Sequence, residues 1–184
     1  MNKAVTWQAA AHLLAYPDER FWGRLPLIEQ AAAPCFPGFA AAIHAMGPGE
    51  LAAHYVDMFD LKRRCCLYLT YYADGDTRRR GESLAALKGR YRAAGWELMD
   101  DELPDFLPVM LEFAALDAAG AALLAEHRVG IELLRSALDG YGSPYTIVLD
   151  GVRRALPEPT AEQRAAAARL AQDGPPAESV GVYR

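Results

Sequence analysis

The side chains suited to metal binding or nucleophilic chemistry are few: Cys65, Cys66, His44 and His54 are the soft ligand candidates. Zinc ligands converge from paired spacings such as Cys-x-x-Cys, and two adjacent cysteines do not supply that geometry. Nothing in the sequence marks a base for a cysteine nucleophile. Glu97, Asp100, Asp101, Glu102 and Asp105 form an acidic cluster. Paired carboxylates carry out acid–base work, although acids ahead of a helix also favour its N-terminal dipole. Asp74-Gly75-Asp76 has a faint likeness to a calcium loop, but Arg78, Arg79 and Arg80 stand where oxygen ligands are needed. No Gly-x-x-x-x-Gly-Lys-Ser/Thr loop, Gly-x-Ser-x-Gly elbow or His-Glu-x-x-His pair occurs. The basic runs Lys62–Arg64 and Arg78–Arg80 suit an anion or the acidic face of a partner, and suit a solvated surface equally well.

The elements that must position these residues read as helices nearly throughout. A first helix over Thr6–Tyr16 stops at Pro17, and Asp18 caps a second that carries Phe21, Trp22 and Leu25. Gly47-Pro48-Gly49 punctuates the chain before a helix over Glu50–Phe59, with Leu51, Tyr55, Met58 and Phe59 on one side. LYLTYY (residues 67–72) has strand composition but no partner strand, which points to a buried helix or turn. Asp76 or Thr77 caps the next helix, which ends at Gly95. Pro104 opens a helix apolar almost all round (Phe106, Leu107, Val109, Met110, Leu111, Phe113, Leu116), as expected of a central element. One helix is expected over Ala121–Leu138. Ser143-Pro144 begins another, and Thr160 with Gln163 forms a capping box before a last, Ala-rich helix. The expected fold class is all-α: one helical domain over residues 1–173, a bundle with short loops, then a disordered tail over 174–184.

Bulk properties narrow the function. The 184 residues are 52% hydrophobic and 23% charged, as in a globular domain with a real core. A net charge of -5 disfavours nucleic acid as a partner. The 3 cysteines suit a reducing compartment, and no apolar run serves as a signal peptide or a membrane span, so the expected location is the cytoplasm. Tyr55, Phe59, Tyr68, Tyr71 and Tyr72 crowd into one segment beside a basic loop. Tyrosines there belong either to the core or to a recognition surface for an amphipathic peptide.

Several blocks in collinear order carry a resemblance. They are LLAYPDE (Leu13–Glu19), Tyr55-Val56-Asp57-Met58-Phe59-Asp60 followed by LKRRCCLYLTYY, GDTRRRG (Gly75–Gly81), and DDELPDFLPVMLEF (Asp100–Phe113). Together they resemble the NarJ family of nitrate reductase molybdenum cofactor assembly chaperones, over residues 5–156. The resemblance implies an all-helical, non-enzymatic protein without a cofactor of its own. Its partner would be the N-terminal segment of the nitrate reductase α subunit, with molybdenum cofactor delivery proteins as further partners. Tyr55, Met58 and Phe59 match the family's Tyr-x-x-Leu-Phe, with Met for Leu. Glu102, Pro104 and Asp105 match its Glu-x-Pro-Asp-His, with Phe106 where the His stands. The implied peptide-binding set is Tyr55, Met58, Phe59, Leu69 and Tyr72 as an apolar groove, with Glu102 and Asp105 meeting basic residues of the peptide. Two other functions stay open: a leader-peptide chaperone for another molybdoenzyme of the dimethyl sulfoxide reductase type, and a small helical enzyme using Glu102 and Asp105.

Overall fold

The computed structural model describes residues 2–98 and 102–173. The described residues form ten α-helices and no strand, in agreement with the expected all-α class. They are α1 (Lys3–Leu13), α2 (Glu19–Ala32), α3 (Phe39–Tyr55), α4 (Thr70–Asp74), α5 (Arg78–Ala93), α6 (Leu107–Leu116), α7 (Ala118–Glu126), α8 (Arg128–Gly140), α9 (Tyr145–Ala155) and α10 (Ala161–Asp173).

Helix α1 lies at the centre, packed on α6 and α9. Its buried face is largely alanine (Ala9, Ala10, Ala11), and small side chains let neighbouring helix axes come close. The apolar α6 is buried through Leu107, Met110, Leu111, Phe113 and Ala114, while Leu116 at its end is exposed. Helix α7 folds back on α6. There a Cβ on Gly120 would stand 2.5 Å from the Phe113 carbonyl carbon, so only glycine permits the contact. Helices α8 and α9 complete the core, and α10 rests on the outside of α8.

The start and stop signals hold in most places. Asp18 accepts the Phe21 amide at 2.9 Å, and Thr160 and Gln163 exchange the two bonds of a capping box at 3.0 and 3.1 Å. Gly95 takes φ 81 past the end of α5, and Gly47, at φ 76 and ψ 171, kinks α3. Other expectations shift: the first helix runs from Lys3 to Leu13 rather than from Thr6 to Tyr16, and the Thr77 side chain makes no capping bond to α5. The helix expected over Ala121–Leu138 is two, broken at His127, whose ring bonds the Leu123 carbonyl at 3.0 Å. The helix expected from Glu50 to Phe59 is α-helical only to Tyr55, and Val56–Asp60 widens into a π turn. The helix expected to open at Pro104 starts at Leu107, because the preceding residues are engaged elsewhere.

That engagement joins the two halves of the chain. Tyr68 and Phe106 form an isolated antiparallel bridge, with the Leu69 amide donating to the Asp105 carbonyl (2.9 Å) and the Leu107 amide to the Leu67 carbonyl (2.8 Å). Residues 67–72 thus resolve into one bridge followed by the short α4. Asp105 has no exposed surface. Its Oδ2 accepts the Thr70 hydroxyl at 2.5 Å and the Thr70 amide at 3.2 Å, and Arg80 Nη2 lies 3.6 Å away. Arg80 Nε also donates to the Thr70 hydroxyl oxygen at 3.3 Å. Asp105 therefore caps α4 across 35 residues of sequence and is charge-balanced by α5.

Replacing Asp105 with Ala strands the Thr70 donors and the Arg80 charge, and should lower unfolding free energy by about 3 kcal/mol. Thr70→Val should cost about 1–2 kcal/mol, and the two losses should not add in a double-mutant cycle read by urea unfolding. Gly120→Ala forces α7 off α6 and should cost about 2 kcal/mol, seen as a lowered thermal midpoint. A midpoint equal to that of the parent protein would contradict the close helix approach.

Candidate functional site

The residues singled out as an apolar peptide groove lie mainly inside the protein. Tyr55, Met58, Phe59, Leu69 and Tyr72 are all buried. The Tyr55 hydroxyl donates to the Leu14 carbonyl at 3.1 Å. Its ring and that of Phe59 pack on Tyr145 of α9, with centroids 6.0 and 4.9 Å away, and Phe39 and His54 complete the cluster. These side chains seat the π turn on the core. Burial pushes the Tyr55 and Tyr145 hydroxyls far above the usual phenol range.

Leu69 and Tyr72 pack on a different helix. Both rest on Gly130 of α8, where a Cβ would meet Tyr72 Cδ2 at 3.1 Å and Leu69 Cδ2 at 3.4 Å. The Tyr72 hydroxyl donates into the loop before α4, with the Cys66 carbonyl at 2.9 Å and the Arg64 carbonyl at 3.0 Å. Tyr72 thereby fixes the Arg63–Arg64 turn beside α8. Burial keeps its hydroxyl protonated and so a donor.

The acidic candidates separate. Asp105 is enclosed by the Thr70 and Arg80 bonds, whereas Glu102 is exposed. The sequence expects both to face a basic peptide, but Asp105 already has its cationic partner within the fold. Asp100 and Asp101 lie outside the described residues. The Cys65 thiol is buried and pushed up to about 11 by desolvation, and burial raises Cys66 as well, so neither is a thiolate at neutral pH. His54 Nε2 lies 2.8 Å from Ser143 Oγ, a bond that ties α3 to the start of α9, and burial lowers its pKa. Asp74 of the turn once compared with a calcium loop accepts the Ser83 hydroxyl at 2.7 Å.

An open cleft of about 340 Å³ does exist, next to the expected groove. Its walls are the Arg63–Arg64 turn, Tyr71 and Tyr72 of α4, the Leu133–Ser136–Ala137 face of α8, Tyr141, and Leu170 with Ala171 of α10. Tyr141 is 49% exposed, and Lys62 Nζ sits 5.1 Å from its ring centroid while also pairing with Asp57. Apolar floor, tyrosine edges and arginines at the mouth make a surface suited to a helical peptide. Sequence reading found one wall of it, in Tyr71, Tyr72 and the basic run. It missed Leu133, Ala137 and Tyr141, whose only signal was the spacing of Val129, Leu133 and Ala137 along one side of α8.

Comparison with known proteins bears on this arrangement. Residues 25–149 match the family model described as "Nitrate reductase delta subunit". The chain is 40% identical over 156 residues to the nitrate reductase-like protein NarX of Mycobacterium tuberculosis, a match covering 82% of this chain and 24% of that protein. It is 33% identical over 165 residues to the probable nitrate reductase molybdenum cofactor assembly chaperone NarJ of Bacillus subtilis, covering 84% of this chain and 90% of that protein. With the nitrate reductase molybdenum cofactor assembly chaperone NarJ of Escherichia coli it shares 29% identity over 152 residues, covering 76% of this chain and 64% of that protein. With the family model matching well over half of its length, the chain belongs to the nitrate reductase delta subunit family.

Proposed function

We propose that this chain is an assembly chaperone for a respiratory nitrate reductase. It binds the N-terminal segment of the catalytic α subunit and holds the apo-enzyme competent for molybdenum cofactor insertion before membrane attachment. The observation that carries this reading is the alignment with the Bacillus subtilis chaperone over 90% of that protein's length. The open cleft beside α8 is the second support. Its walls offer hydrophobic area and hydrogen-bonding tyrosines, with cations at the rim, and no convergent acid–base pair. Asp105, the carboxylate an enzymatic reading needs, is enclosed and internally bonded. The chaperone works by reversible binding, with no catalytic step and no cofactor of its own. A cytoplasmic location fits this role, and no described helix is long and apolar enough to cross a membrane.

The residues first assigned to the groove keep a place in this reading, now mostly as its frame. Tyr55, Met58 and Phe59 anchor the turn behind the cleft, while Leu69 and Tyr72 set the loop against α8. The peptide's apolar face would lie on Leu133, Ala137 and Tyr141. Rim charges contribute orientation and association rate more than affinity.

Calorimetric titration with a synthetic peptide of the first ~15 residues of a nitrate reductase α subunit tests the proposal, a length marginally helical until bound. Saturable binding is expected, weakened about tenfold or more by Leu133→Glu and by Tyr141→Ala with the fold intact. Phe59→Ala, by contrast, should act through the core and cost about 3 kcal/mol of stability. A folded protein that binds no such peptide overturns the reading.

A further inference from the structure

Helix α10 is seated unlike any other long helix of the fold. It has 13 residues and not one of them is buried. Gln163, Ala166, Ala167 and Leu170 are partly covered, at the i, i+3, i+4, i+7 spacing of a single narrow stripe. Three of those positions are alanine or glutamine-sized polar contacts rather than large apolar anchors, so the stripe fills little of the surface beneath it. Two open clefts flank it. One is the 340 Å³ cleft, which Leu170 and Ala171 wall on one side. The other, of about 260 Å³, lies at the opposite end, between Ala167 and Gln163 of α10 and Val129 and Glu132 of α8. Among the described residues one hydrogen bond, Gln163 Nε2 to the Ala125 carbonyl at 3.0 Å, ties α10 to the body.

The face under α10 runs along Val129, Leu133 and Ala137, one turn apart on α8. It is apolar, it demonstrably accepts a helix, and the helix it holds leaves space on both sides. An isolated helix of this length is marginal in water, so α10 stays formed only while it is seated.

We infer that α10 is an internal placeholder, a removable cover on the α8 face that the client's amphipathic helix displaces. The inference rests on the peptide-binding reading above and adds its regulation. The occupant it fits is a helix with Leu- or Phe-sized residues where α10 has alanines, filling both clefts. An acidic residue of that helix would meet Arg64, which is exposed at the mouth of the first cleft with no ion pair among the described residues. Because α10 must leave first, the apparent affinity is the intrinsic one reduced by the fraction of molecules with α10 released. A weakly seated cover gives the chaperone moderate binding and a route to release, since α10 re-docks as the client departs.

Two full-length variants move α10 in opposite directions without touching α8. Ala167→Leu with Ala171→Leu fills the clefts from the α10 side and should weaken binding of the ~15-residue α-subunit peptide about tenfold. Ala165→Gly with Ala168→Gly, both on the exposed face, lowers helix propensity alone and should strengthen binding about fivefold. Hydrogen exchange read alongside should show α10 amides exchanging faster than those of α8 in the free parent protein, and faster still with peptide bound. Peptide binding that neither variant alters, or α10 amides that slow on binding, overturns the placeholder. Peptide that binds neither the parent nor the glycine variant overturns the peptide-binding reading itself, whereas binding to the glycine variant alone supports the placeholder directly.

Discussion

A carboxylate with no exposed surface, Asp105, holds the fold together at the point where its two halves meet. Removing a charge from water is costly unless its oxygens are bonded and its charge is balanced. Here the Thr70 hydroxyl and amide both bond Oδ2 and Arg80 supplies the balance, from elements that precede Asp105 by 35 and 25 residues, while Oδ1 is buried without a hydrogen-bond partner among the described residues. The backbone bridge between Tyr68 and Phe106 lies over the same spot. Once this node is made, α4 cannot rotate, α6 must begin at Leu107, and the loop carrying Arg63 and Arg64 is delivered to the side of α8.

From that node the placement of the aromatic segment follows. Tyr55 and Phe59, four residues apart where α3 runs into the π turn at Val56–Asp60, share one face and turn inward onto Tyr145. Tyr72 turns onto Gly130, where the missing side chain leaves room for its ring. What these residues leave uncovered is the flank of α8, Tyr141 and the arginine turn. On the proposed peptide-binding reading, the motif residues are largely the scaffold of the recognition surface rather than its contact layer. That division gives a physical reason for substitutions such as Met58 at a position where the family motif has Leu, since Met fills an irregular core space nearly as well.

The contrast between α10 and the other helices reflects the same economy of side-chain size. Where alanines are enclosed on several sides, as on α1, they allow close packing and bury backbone-near surface efficiently. Where an alanine-rich helix lies mainly on one neighbour, as α10 does on α8, such residues give little contact area. Alanines therefore serve a central helix at one end of the chain and a helix with no buried residue at the other.

Local chemistry alone determined much of this protein. Helix type, the Asp18 cap, the Thr160–Gln163 box, the stop at Gly95 and the central, apolar character of α6 all follow from side chains acting on backbone within a few residues, and these were legible in the sequence. The blocks around Tyr55–Asp60 and Asp100–Phe113 also carried the family. What tertiary structure decided was inside versus outside for the aromatic and acidic candidates. Periodicity assigns Tyr55, Met58 and Phe59 to one face but cannot say whether that face meets solvent or Tyr145, 86 or more residues later in the chain. Composition shows Asp105 beside Glu102 but not the Thr70 and Arg80 partners that enclose one and leave the other exposed. Burial and charge pairing depend on contacts distant in sequence, so the open cleft, made where α4, α8 and α10 fail to fill the space between them, had no local signal strong enough to name it.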